Sequence, residues 1–83
     1  KQALPMTPDR PAKHSLTLQG HRTSVTLEAG FWAALQELAQ AEERSVNALA
    51  AEIDARRDPE VGLASAIRVH LLRAAREGRL PVA

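Results

Sequence analysis

A mostly α domain carrying a short β-ribbon is what this sequence predicts, and three observations predict it. Arg22 to Leu27 alternate, with Thr23, Val25 and Leu27 on one face and Arg22, Ser24 and Thr26 on the other, which is the period of a half-buried strand. Directly after them, Phe31, Ala34, Leu35 and Leu38 recur at the spacing of a helix face. Past Arg44, two more helical stripes follow and no second good strand does.

The β region is the stretch HSLTLQGHRTSVTLE. A single strand leaves half of its backbone hydrogen-bonding groups unpaired, so it needs a partner. In its first half, Leu16 and Leu18 alternate with Ser15, Thr17 and Gln19. One reading makes this a hairpin turning on Gly20 and His21, since a type II′ turn wants glycine first. That register sets Gln19 against Arg22, Leu18 against Thr23, Thr17 against Ser24 and Leu16 against Val25. In the others, Gly20 kinks one long strand, or residues 15–19 belong to an N-terminal arm. All three remain open on the sequence.

The first helix is expected from Glu28 or Ala29 to about Glu42, with Glu28 complementing the dipole in the first turn. Trp32 lies off its stripe, suited to packing on a neighbouring element or subunit. Ser45 is a good N-cap for the second helix, whose stripe is Val46, Leu49, Ala50 and Ile53. Arg56 and Arg57 fall at its C-terminal end, and Asp58-Pro59 closes it. The third helix, Leu63 to Glu77, has one face of Leu63, Ala66, Ile67, Leu71 and Ala74, with Gly78 placed to stop it. Val69 and Leu72 widen its apolar surface. Residues 1–14, with three prolines and no periodicity, are expected as a flexible basic arm, 15–77 as one domain and 78–83 as a tail.

Composition excludes more than it selects. With no cysteine among 83 residues, disulfides and thiolate zinc sites are ruled out. Their absence fits a reducing, cytoplasmic setting. No apolar run approaches the roughly 18 residues of a membrane helix, and no membrane partner is expected. Net charge is +1, but the ends are basic and the middle acidic: residues 23–54 hold Arg44 against six acids, and residues 55–83 hold six arginines against three acids. That pattern permits an anionic partner. No nucleophile motif, phosphate loop or paired-carboxylate pocket is visible, so neither an enzyme nor a cofactor is expected. His14, His21 and His70 lack close ligand spacing and are read as polar or packing residues, with no metal.

A strand, a helix, a tight turn and an N-capped helix, from Arg22 to Ile53, resemble the ribbon-helix-helix superfamily of Arc and methionine repressor type. RSVN at Arg44 to Asn47 is similar to the interhelical turn of Arc-type repressors. GHRTSVTLE, FW, EID and SAIRV together resemble a narrower family of small bacterial ribbon-helix-helix domains. The resemblance implies a homodimer in which strand 22–27 pairs with its copy in a second chain. Its core would be Val25, Leu27, Phe31, Leu35, Leu38, Val46, Leu49 and Ile53, with the third helix as an addition. It also implies double-stranded DNA as a partner. Arg22, Ser24 and Thr26 would face base edges, and Ser45, Val46 and Asn47 would anchor a phosphate at the start of the second helix. The bland alternative for Arg22, Ser24 and Thr26 is a solvated sheet face. The rival function is a protein-interaction module, antitoxin-like or adaptor, holding a protein partner through the C-terminal helix.

Overall fold

Two eight-residue strands precede three helices in a computed structural model that describes residues 10–80. They are β1 (Pro11–Leu18), β2 (His21–Glu28), α1 (Ala29–Ala41), α2 (Val46–Arg56) and α3 (Leu63–Arg76). The strands form one antiparallel hairpin, so the hairpin reading of residues 15–19 holds. Its register differs from the expected one. Leu18 pairs with His21, Thr17 with Arg22, Leu16 with Thr23 and Ser15 with Ser24.

The turn explains the difference. Its central residues are Gln19 at φ 52° and Gly20 at φ 85°. Two positive φ values mark a type I′ turn, whose twist matches that of the flanking strands. The expected type II′ register and the observed one differ by two positions, which leaves every side chain on its own face. Burial of Leu16, Leu18, Val25 and Leu27 is therefore the same in both. The observed register also carries the ladder back to Pro11 opposite Glu28.

β1 thus begins four residues before the boundary expected at Ser15, and Lys13 and His14 are strand residues rather than arm. Alternation there is hidden because the positions on the helix-facing side carry Ala12 and His14 instead of large aliphatic residues. The His14 ring stacks on Trp32 of α1, with centroids 4.0 Å apart and planes 5° from parallel. Residues 1–9 of the expected arm and 81–83 of the expected tail lie outside the described residues.

Beneath the sheet, α2 packs on β1 while α1 and α3 pack on β2. The core joins Leu16, Leu18, Val25 and Leu27 to Leu35 and Leu38 of α1, Leu49 and Ile53 of α2, and Ile67, Leu71 and Ala74 of α3. Phe31 and Val46 pack at its margin. Of the residues expected to form a dimer core, Val25, Leu27, Leu35, Leu38, Leu49 and Ile53 are already buried within one chain, and Phe31 and Val46 are half-buried. β1 and α3 supply the cover that the minimal layout would take from a partner.

The helix ends follow their capping chemistry. Ser45 Oγ accepts the Ala48 N–H at 3.0 Å. α1 ends in a Schellman arrangement, Glu43 N–H to Gln40 and Arg44 N–H to Ala39, both 3.0 Å. Its left-handed position is Glu43 at φ 58°. α3 ends likewise, with Gly78 there at φ 76°. Glu28 is the N-cap of α1, but its side chain makes no cap hydrogen bond. It instead takes Arg68 of α3, through contacts of 2.9, 3.0 and 3.1 Å. Its own backbone N–H, and then the Arg68 guanidinium, hold its carboxyl below the ordinary carboxylate value.

Candidate nucleic-acid interface

Residues directly opposite in an antiparallel pair share a face. The register therefore places Lys13 beside Thr26, Ser15 beside Ser24 and Thr17 beside Arg22, all exposed and all on the side away from the helices. This face holds four short hydroxyl side chains and two cations. The sequence-predicted Arg22, Ser24 and Thr26 are together here, in line along β2. The hairpin reading already sets Thr17 on the polar face opposite Ser24; the observed register moves it opposite Arg22, brings Ser15 opposite Ser24, and adds Lys13, which is expected in the arm. Lys13 and Arg22 have no ion pair among the described residues.

Hydrogen bonding divides the two edges of the sheet. A two-residue hairpin makes Leu18 and His21 a hydrogen-bonded pair, and such pairs then alternate along the ladder. The N–H of Thr17 consequently points outward from β1, where Asn47 Oδ1 accepts it at 3.0 Å. On β2 the outward groups are the N–H and C=O of Arg22, Ser24 and Thr26. They have no partner among the described residues. One edge is bonded to α2 at Thr17, and the other carries no such bond among the described residues.

The same Asn47 bond sets the start of α2 against the ribbon. Of the three residues expected to anchor a phosphate, Ser45 spends its hydroxyl on the cap and Asn47 its side-chain oxygen on β1. What remains for an anion is the backbone N–H groups of Val46 and Asn47, which have no intrahelical acceptor at this position. The preceding turn is held by Arg44, which bonds Glu42 at 2.7 Å and also reaches Glu52.

A second exposed feature lies on the helical side. Phe31, Ala34, Leu71, Leu72 and Leu80 line an apolar groove between α1 and α3. Val69 and Leu72 are 46% and 57% exposed. Arg68 crosses the groove wall, 5.6 Å from the Phe31 ring centroid. Among the described residues, no group of three or more His, Cys, Asp or Glu residues could hold a metal, and no helix is long and apolar enough to cross a membrane.

The fold agrees with comparison to known proteins. A solved structure, that of an uncharacterized protein from Bordetella pertussis Tohama I, is 32% identical and superposes with a TM-score of 0.67 over 89% of this chain. The chain spans 65% of that protein's length. No curated protein matches. The model of the family described as the ribbon-helix-helix domain matches residues 11–75, which includes both strands and nearly all of α3. With that span matched and the hairpin and helices in place, the chain belongs to the ribbon-helix-helix domain family.

Proposed function

We propose that the chain is a cytoplasmic, dimeric, DNA-binding transcriptional regulator that lays the outward face of its sheet on the major groove. The observation that carries this is the composition of that face: hydroxyls and two cations, with its only carboxylate among the described residues, Glu28 at its end, committed to Arg68. Fixed by a paired strand, Arg22 can bridge guanine O6 and N7, while Ser24 and Thr26 donate or accept at several base edges. The N–H groups of Val46 and Asn47 take a phosphate beside them. Two copies meet along the open edges of β2, where unpaired backbone groups of Arg22, Ser24 and Thr26 would otherwise face solvent.

Fluorescence anisotropy on a duplex selected by the protein from a randomised pool, against a scrambled duplex, tests the reading. Affinity should fall steeply with salt for both duplexes. Arg22→Ala should cost about 1–3 kcal/mol on the selected duplex alone. A wild-type protein with no preference between the duplexes would sink the regulator.

The groove between α1 and α3 favours a second reading, a protein-interaction module whose apolar face takes a partner helix. Salt separates the two, because an apolar contact of that kind lacks the steep dependence of phosphate binding.

A further inference from the structure

We infer that β1, an addition to the minimal ribbon-helix-helix layout, is a phosphate rail: Lys13, Ser15 and Thr17 hold the sugar-phosphate rims on either side of the groove that β2 reads. The inference rests on the DNA-binding dimer proposed above. It starts from the two unequal edges of the hairpin. α2 bonds β1's outer edge at Thr17 through Asn47, whereas no element bonds the outer edge of β2 among the described residues, and the second copy of the proposed dimer is placed there. The dimer then has a four-stranded sheet in the order β1, β2, β2 of the partner, β1 of the partner.

Such a sheet is too wide to enter a major groove whole, so only its inner pair of strands sits within it. Strands lie about 4.8 Å apart, so the inner pair runs about 2.4 Å and the outer pair about 7.2 Å from the twofold axis, against a groove half-width of about 6 Å. The β2 strands lie over the base edges and the β1 strands over the rims. The side chains fit that placement. Outward from β1 come one lysine and two hydroxyls, which are common phosphate ligands. The start of α2, bonded to Thr17, lies on the same outer side as β1. The two anion-directed features of each chain are thereby brought to one rim.

The rail makes Lys13 a positioning residue that depends on which face it occupies. The same two duplexes, bound by the full chain at two salt concentrations, test this. Lys13→Ala should weaken both duplexes alike, by roughly tenfold, and lower the salt slope by about two for the two lysines of a dimer. Placing the cation one rung along, with Ser15→Lys in the Lys13→Ala background, should restore both. Ala12→Lys in that background, on the opposite face, should restore neither. Circular dichroism should show all these variants folded, since the positions are exposed. Several results overturn the rail. Loss confined to the selected duplex would mean that β1 reads bases. Equal rescue by Ala12→Lys would mean that the segment is a loose tether. No effect of Lys13→Ala, with Arg22→Ala still destroying preference, would take β1 off the DNA while leaving the regulator intact. A wild-type protein that binds neither duplex removes both proposals together.

Discussion

Glu43 is one of two non-glycine residues with a left-handed backbone among those described, the other being Gln19 in the hairpin turn. Glu43 holds the left-handed position that closes α1, at φ 58°, where α3 uses Gly78. A side chain with a Cβ is strained in that conformation. Its backbone bond to Gln40 is independent of the side chain, and its carboxylate has no ion pair among the described residues. Glu43→Gly should therefore stabilise the fold by about 0.5–1 kcal/mol, read as a higher urea midpoint. An unchanged or lower midpoint would mean that the carboxylate carries a role of its own. His70 offers a second test at this scale. Its Nε2 is buried with no hydrogen-bond partner. Burial, and then the Arg79 guanidinium, push its pKa below 6.5, with Arg44 adding to the effect and Glu42 and Glu52 opposing it. A histidine with a lowered native pKa binds its proton more weakly when folded. Stability should then fall as pH drops from 6.5 to the lowered value, and level off below it. Urea midpoints at neutral and mildly acidic pH should differ for the wild type and converge in His70→Gln. Glu28, by its backbone N–H and Arg68, and Glu52, by Arg44, are held below the ordinary carboxylate value, so they stay ionised at mildly acidic pH.

At the scale of elements, the ribbon's two faces should respond oppositely to the same charge. Val25 is 4% exposed and Ser24, its neighbour, is exposed. An unpaired carboxylate at Val25 would be desolvated against Leu16 and Leu27, at a cost of at least about 3 kcal/mol from a total of roughly 5–10 kcal/mol. Val25→Asp should lose its helical circular dichroism, and Ser24→Asp should retain it. Equal loss in both would contradict the observed faces. Deleting residues 1–18 should also destabilise the domain, because Leu16 and Leu18 belong to the core rather than to an arm. These elements differ in how far the sequence reveals them. α2 and α3 have local punctuation, Ser45 before one and Gly78 after the other, and their stripes map directly onto burial. Leu16, Leu18 and Gly20 make the hairpin one of three readings that the sequence leaves open. Its register was not legible, because both registers bury the same leucines and only the turn distinguishes them. The start of β1 was hidden by Ala12 and His14, whose partners are Leu27 across the sheet and Trp32 on α1. On the candidate interface, alternation placed Arg22, Ser24 and Thr26. The grip of Asn47 on Thr17, 30 residues away, and the pairing of Glu28 with Arg68, 40 away, are long-range choices that no local pattern encodes.

For the whole molecule, the question is how a chain with a closed core would meet a copy in the proposed dimer. The obvious argument for dimerisation, an unfilled core, does not apply, because β1 and α3 fill it. What remains is the open edge of β2. The N–H of Ser24 points away from β1, so the ladder inside the chain does not use it. Proline is tolerated on an edge strand in that position, where the missing donor is one that solvent or a partner would have met. Ser24→Pro should therefore leave the hairpin and its core standing while removing a donor from each side of the twofold and placing a ring in the partner's path. Sedimentation equilibrium should show a dimer for the wild type and a folded monomer for Ser24→Pro. The unfolding midpoint should rise with concentration only in the wild type. Thr23→Pro is the matched control. Thr23 lies in a hydrogen-bonded pair with Leu16, so proline there should break the hairpin itself and cost stability at every concentration. If Ser24→Pro stays dimeric, the copies meet on another face. The exposed Val69 and Leu72 of α3 are then the next place to look, and Leu72→Glu should dissociate what Ser24→Pro did not. In that case the sheet stays two strands wide and β1 enters the groove with β2. The oligomer test thus also decides whether Lys13 lies over a phosphate or a base.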